Sequence, residues 1–468
     1  MSKVKFLLPT ITTFTILILA WLFLFYIFYP GFMSYDSVVQ YDMGRMLILS
    51  DDHPIFVALI WHLASYFSKP PAFMLALNLT LCFGSLHLLS RQVLNRRRLS
   101  LCLVLMVIFF PPLLGMQGII WKDIFMQNFV LLSVALMLFN QKQPTPNFHI
   151  CFYSLFALFL ATLCRHNAIA LAIPLVFMNI QIMKPILNRK ILATNFLWSI
   201  FVLFLFVFIN SVGTSLIATK KHFWQTTMSY DIAGASFYKG KNLFYDGYQE
   251  IIHKETTLED IQKRYSPRDM LCLYLFPQFR PSCKFDPILD VSTNPFDLVL
   301  VRKNWTDVVV HHFPFYLKHR MGVIGHLMGF NSEPLWKPIT DGIEETGLEF
   351  TFKVNMNSIR TSFIKFIKNQ STHWYYRPYF YLFASLLIFL FSLRKLNKNH
   401  VKIQFPNLSS DAYLLFCLNL SALLYTFSYF LATMSPDYRY SSYLILMTTL
   451  SLGILFFQKI EQSLPPTT

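Results

Sequence analysis

The chain has 468 residues and a formal net charge of +16; 54% of its residues are hydrophobic and only 14% charged, with a mean hydropathy of +0.45. Soluble domains carry about 25% charged residues, so this composition excludes an ordinary soluble enzyme, and recurrent apolar runs of membrane-crossing length mark an integral membrane protein. The positive charge does not mark a nucleic-acid binder. It is gathered in short segments between apolar runs (Arg91 with Arg96, Arg97 and Arg98; Lys184, Arg189 and Lys190; Arg394, Lys395, Lys398 and Lys402) from which acids are absent, the positive-inside pattern of cytoplasmic loops.

In chain order, the first apolar run, 6–29, follows Lys3 and Lys5. It is too long for a signal-peptide core and no A-x-A-like site follows, so it reads as a retained span. The loop 30–54 that follows carries Asp36, Asp42, Asp51, Asp52 and His53. Ile55 to Phe67 reads as an interfacial helix, because counting it as a span would move Arg96, Arg97 and Arg98 to the outer side. Spans are then expected at 72–90, 99–114, 121–140, 148–164, 166–182 and 191–212.

Residues 213–377 contain no spanning run and are rich in Asp, Glu, Lys, Asn and Pro. A connection of that length between spans is usually functional, and a mainly helical, mixed extracytoplasmic domain is expected there. Within it, Pro295 to Arg320 reads as an amphipathic helix kinked at His311-His312-Phe313-Pro314. Trp374, Tyr375, Tyr376 and Tyr379 suit re-entry through the headgroup belt. Final spans are expected at 378–394, 411–433 and 440–457, with both ends of the chain cytoplasmic. The fold class is therefore mainly α: a polytopic membrane protein of about ten spans, arranged as a membrane module over 1–212, an outer domain over 213–377 and a second membrane module over 378–468.

Of the seven cysteines, five lie in or beside apolar runs and read as small hydrophobes. Cys272 and Cys283 fall in the outer domain, where an oxidising compartment favours a disulfide; two unrelated buried thiols are the alternative.

On this topology the remaining charged clusters open to one side of the membrane. They are the acids and His53 of the first loop, Trp121-Lys122-Asp123, Cys164-Arg165-His166-Asn167, and Asp437-Tyr438-Arg439-Tyr440. Each alone is explained by a polar turn or a snorkelling cation; their agreement in sidedness is not. Lys122, Arg165 and Arg439 at a bilayer edge match phosphate oxygens, and Asp36 or Asp52 could deprotonate an attacking hydroxyl. That combination suits group transfer from a lipid phosphate. His53 with Asp52 could hold a divalent metal, or His53-Pro54 could simply open a helix capped by Asp51 or Asp52.

These residues resemble the GT-C glycosyltransferases, among them protein O-mannosyltransferases and lipid A aminoarabinose transferases. More narrowly, Pro30-Gly31-x-x-Ser34-x-Asp36-Ser37-x-x-Gln40, Asp51-x-His53-Pro54, Trp121-Lys122-Asp123, Arg165-His166-Asn167 and Asp437-Tyr438-Arg439-Tyr440 look like a bacterial branch of that superfamily. The resemblance covers most of the membrane part. It implies an inverting transferase of the inner (plasma) membrane whose site faces the periplasm or exterior. A polyprenyl-phosphate sugar would be the donor, and a glycolipid, polysaccharide or protein the acceptor. The base role falls on Asp36, and Gln40, Lys122, Arg165, His166, Asp437 and Arg439 would contact substrate. Two departures, Asp36-Ser37 for Asp-Glu and Pro54-Ile55 for a doubled proline, leave the base open between Asp36 and Asp52 and the donor sugar unassigned. A transporter or flippase of an anionic lipid-linked substrate and a polysaccharide polymerase or ligase are the rival readings.

Overall fold

The computed structural model describes residues 2–183, 189–252, 256–277, 282–331, 334–344, 352–398 and 411–465. Of the basic residues expected to face the cytoplasm, Lys184 and Lys402 lie outside these segments. The chain is mainly helical, and among the described residues it forms isolated β-bridges but no strand.

Helix α1 (Ser2–Phe28) is followed by two short helices, α2 (Tyr35–Met46) and α3 (Ile55–Ala64). A Cβ on Gly44 would lie 2.4 Å from the Ala58 carbonyl oxygen, so the absence of a side chain there is what lets α2 and α3 meet. With 10 residues, α3 is about 15 Å long, too short to cross a bilayer, as expected for the Ile55 segment. Helix α4 (Pro70–Val93) opens on two prolines, whose missing N–H groups fall where a helix has no partners for them. The apolar run 99–114 divides into α5 (Arg97–Ile108) and α6 (Pro111–Leu114). Pro111-Pro112 cannot continue the preceding helix's hydrogen bonds, so this expected span is not one continuous rod.

Next come α7 (Lys122–Gln141), α8 (Phe148–Cys164), α9 (Ile169–Met183) and α10 (Arg189–Ile217). After α10 come α11 (Trp224–Lys239), α12 (Leu258–Arg264), α13 (Leu271–Tyr274), α14 (Pro295–His311), α15 (Phe313–Met328) and α16 (Ser358–Gln370). The expected kink is a true break at His312, with Pro314 in the first turn of α15. Helices α17 (Pro378–Lys398), α18 (Asp411–Ala432) and α19 (Ser442–Ser463) complete the chain.

Among the described residues, seven helices are long and apolar enough to cross a membrane: Pro70–Val93, Lys122–Gln141, His166–Met183, Lys190–Ile217, Pro378–Asn397, Asp411–Ala432 and Tyr438–Ser463. Thr12–Phe28 and Phe148–Cys164 are shorter apolar helices. Buried amides and hydroxyls tie the bundle together where lipid offers them nothing. Asn128 Nδ2 donates to Asn78 Oδ1 (2.6 Å), Asn179 Nδ2 to Ser154 Oγ (2.8 Å), and Asn419 Nδ2 to Ser451 Oγ (3.0 Å).

Residues 223–323 gather around a second apolar core that includes Tyr230, Ile251, Leu273, Val301 and Val323. Its centre is polar: Asp231, His319 and Arg320 are fully buried. Asp231 pairs with Arg320 (2.7 Å) and His319 (3.0 Å) and accepts from the Trp305 indole (2.7 Å). Arg320 also donates to the Thr433 carbonyl (2.7 Å), fastening this core to the turn between α18 and α19. Cys272 and Cys283 are disulfide-bonded. By contrast, Ile339, Ile364, Ile367 and Tyr376 pack into the core of the membrane bundle.

Candidate functional site

The first loop is fixed by backbone pairing before any charge is considered. Phe32 N donates to Gly118 O (3.0 Å) and Ile120 N to Phe32 O (2.9 Å). Gly31 enters this pairing at φ +131°, with Ile120 Cδ1 and the Pro71 carbonyl packed where a Cβ would stand. Ser37 Oγ then donates to Ile120 O (2.7 Å) and the Trp121 indole to Ser34 Oγ (2.8 Å). Together these bonds set the first turn of α2, with Asp36, against the first turn of α7, with Lys122 and Asp123.

A third strip of backbone closes the arrangement. Met33 N donates to Gly342 O and Glu344 N to Met33 O (2.9 Å each), while Tyr438 N donates to Trp336 O (3.0 Å). Segment 334–344 is thus bonded to both the Asp36 loop and the Arg439 loop. Glu344 accepts from Tyr35 N and from Lys337 Nζ, each at 3.0 Å.

Within this frame the scattered motifs meet. Arg439 Nη2 lies 2.5 Å from Asp36 Oδ2; its Nε lies 3.1 Å from Asp437 and 3.8 Å from Asp123. Arg165 Nε lies 3.2 Å from the other oxygen of Asp123, and its Nη2 donates to the Tyr429 hydroxyl (2.6 Å). Both guanidiniums face the Tyr440 ring, Arg165 at 4.7 Å and Arg439 at 5.3 Å, and Arg439 also faces Trp121. Lys122 Nζ lies 3.2 Å from His53 Nδ1. An ammonium has only protons to give, so Nδ1 accepts and the His53 proton sits on Nε2. Lys122 is 8% exposed, and no carboxylate lies within 4 Å of it among the described residues.

The electrostatics follow from this geometry. Burial pushes the Asp36 carboxyl up, but Arg439, Lys122 and His53 outweigh it and hold Asp36 well below the usual carboxylate range. Burial and then Lys122 push His53 down to about 4, so the imidazole is neutral. Burial raises Asp437 to about 6 against the pull of Arg439 and Lys337.

Asp36, His53, Lys122, Arg165, Asp437 and Arg439, each singled out from the sequence, therefore lie in one connected cluster. Three others sit differently. Asp52 is bonded to the Ser50 hydroxyl and to Lys221 Nζ (3.1 Å). Burial would raise its carboxyl, and the Ser50 hydrogen bond, His53 and Lys221 hold it below its ordinary value. His166 is exposed and touches Asn210. Gln40 is buried one turn beyond Asp36 and makes no side-chain hydrogen bond among the described residues. His53 Nδ1 faces Lys122 and Asp52 faces Lys221, and among the described residues no group of three or more His, Cys, Asp or Glu side chains converges.

Sequence reasoning gave Asp123 no role, yet it is 1% exposed and reaches both arginines. Its adjacency to Lys122 was the available signal. Tyr440 stood within the Asp437-Tyr438-Arg439-Tyr440 motif, whereas Tyr429, Lys221 and Lys337 carried no signal, because only the tertiary fold brings them beside these residues. Comparisons with protein-family profiles, curated proteins and solved structures found no match to this chain.

Proposed function

We propose that the protein is a multi-pass glycosyltransferase of the GT-C type, acting at the extracytoplasmic face of the inner (plasma) membrane. It transfers a sugar from a polyprenyl phosphate to a hydroxyl of an envelope glycolipid, polysaccharide or protein. The observation that carries this reading is Lys122, a buried cation with no carboxylate within 4 Å among the described residues, set beside Arg439, Arg165 and an ionised Asp36. A buried cation not in direct contact with an anion is held at a cost that a bound phosphate would reduce.

In the reaction, the donor phosphate binds Lys122 and takes over Arg439 from Asp36. The released carboxylate accepts the proton of the acceptor hydroxyl. That oxygen attacks the anomeric carbon from the face opposite the phosphate, with inversion. The bond between anomeric carbon and phosphate oxygen breaks, and the phosphate leaves with the electron pair, stabilised by Lys122, Arg439 and Arg165. Asp123 holds the two arginines at their spacing. His53 presents Nε2–H as a neutral donor.

The test is transfer of label from a polyprenyl-phosphate sugar by purified protein in detergent, where transport across two compartments is impossible. Asp36→Asn should lower turnover by at least about 10³-fold with donor binding retained, and Lys122→Gln should raise the donor KM. Near-normal turnover by Asp36→Asn would remove the base assignment. Absence of transfer, with transport restored in sealed vesicles, would establish the flippase reading instead.

A further inference from the structure

Helix α16 has no part in the charge cluster, and its sequence, SIRTSFIKFIKNQ, is basic and contains no acid. Its inward face carries Arg360, Ile364 and Ile367. Arg360 Nη2 donates to the Tyr26 carbonyl (2.8 Å), and Asn357 Nδ2 to the Tyr26 hydroxyl (3.2 Å), both in the last turn of α1. Phe363 meets Phe28 edge-on at 5.4 Å. At the far end, Ile367 packs by Gly115, and just beyond α16 the Tyr376 hydroxyl donates to the Pro111 carbonyl (2.7 Å). So α16 bridges the end of α1 and the α6 turn that follows α5, and the chain then enters α17.

The outward surface of α16 is divided. Ile359 and Phe366, seven residues apart and hence on one line of the helix, are 53% and 45% exposed. The exposed Thr361 and Lys365 lie on the opposite side, where Lys368 pairs with Asp341 (2.6 Å). The Ile359 edge begins beside Tyr26, whose ring is stacked under Arg360. Tyr26 in turn ends an exposed apolar line of α1 that includes Leu19, Leu22 and Phe23. An apolar edge continuous with a bilayer-facing helix, and a polar edge turned away, is the distribution of a helix lying in the membrane interface.

We infer that α16 is a membrane-surface helix whose occupant is the phospholipid leaflet on the side of the charge cluster: Ile359 and Phe366 seat in the acyl boundary, while Thr361, Lys365 and Lys368 remain in water. This rests on α16 and α1 alone, and it stands whatever reaction the cluster performs.

The unsubstituted protein in nanodiscs of phosphatidylcholine and phosphatidylglycerol, doped with a phospholipid bearing a diazirine in its acyl chain, provides the test. After photolysis, adducts mapped by mass spectrometry should fall on Ile359 and Phe366 and on the α1 positions Leu22 and Phe23. Yields at Thr361 and Lys365 should be at least about fivefold lower. Labelling of α1 with none on α16 would overturn the inference and leave water or a second copy as the occupant. Equal labelling of both edges would also overturn it, since the helix would then be immersed rather than seated.

Discussion

At the scale of single residues, the cluster gathers three cations and three acids, with the two arginines paired to the acids and Lys122 set against His53, and its behaviour depends on which of them can change charge. Asp437 is the one acid poised to do so, because burial lifts it to about 6 while it lies 3.1 Å from Arg439. Below that pH the carboxyl is protonated and no longer competes for the guanidinium. A phosphodiester donor keeps its single negative charge across this range, so its own titration is silent. Donor affinity should therefore rise as pH falls from 7.5 to 5.5, by about tenfold at most, the equivalent of one pKa unit. Asp437→Asn should flatten that profile, as read by donor KM or by isothermal titration. The fully buried Asp231 poses a different problem. Asp231→Ala would strand the Arg320 guanidinium without its partner, and should cost about 3–5 kcal/mol in a thermal or denaturant melt. The Asp231→Ala, Arg320→Met pair should lose less than Asp231→Ala alone.

At the scale of elements, the first loop is a set of local choices that agree. Gly31 adopts a backbone angle that L side chains avoid, and it does so against Ile120 and Pro71. Gly31→Ala should destabilise the protein by about 1–3 kcal/mol, seen as a lowered melting temperature in detergent, and turnover should fall because Asp36 and Lys122 would lose their register. The same scale shows what the sequence could and could not convey. The short helix after His53 and the interruption near His312 were readable from proline positions and apolar run lengths, whereas α2 falls in a segment that reads as a loop. The division of 99–114 was signalled by Pro111-Pro112 as well, but the apolar run masked it, since hydropathy does not register a missing N–H. The 334–344 strip was not readable at all: its role comes from backbone bonds to residues about 100 and 300 positions away, which leave no periodicity behind.

At the scale of the molecule, the convergence of the charged motifs was legible because the Lys and Arg segments between apolar runs suggest one orientation for all spans at once, and the structure brings Asp36, Lys122, Arg165 and Arg439 together. The pairings inside the cluster were not, since Asp36–Arg439 and Arg165–Tyr429 join residues 403 and 264 positions apart. The outer residues were expected as one domain. Instead, 223–323 have their own core, whereas Ile339, Ile364 and Ile367 belong with the membrane helices. That division arises because a helix such as α16 is polar enough by composition to pass for an outer element while its buried face completes the bundle.

Helix α10 has a consequence of its own. Its 28-residue apolar stretch Lys190–Ile217 contains an 18-residue window of mean hydropathy 2.4 that is only 17% buried, so most of its surface is left for a lipid environment to cover. At 1.5 Å per residue it measures about 42 Å against a hydrocarbon thickness of about 30 Å. Such a rod accommodates the mismatch by tilting, and the tilt changes with acyl-chain length. The chain leaving α10 bonds through Thr219 to Leu49 and through Lys221 to Asp51 and Asp52, so leaning of α10 pulls on the loop that carries His53. Turnover in bilayers of graded chain length should pass through a maximum, and loosening the tether with Lys221→Ala, which removes the side-chain bond to Asp52, should broaden it. A rate indifferent to lipid thickness would show that the rod and the loop move independently.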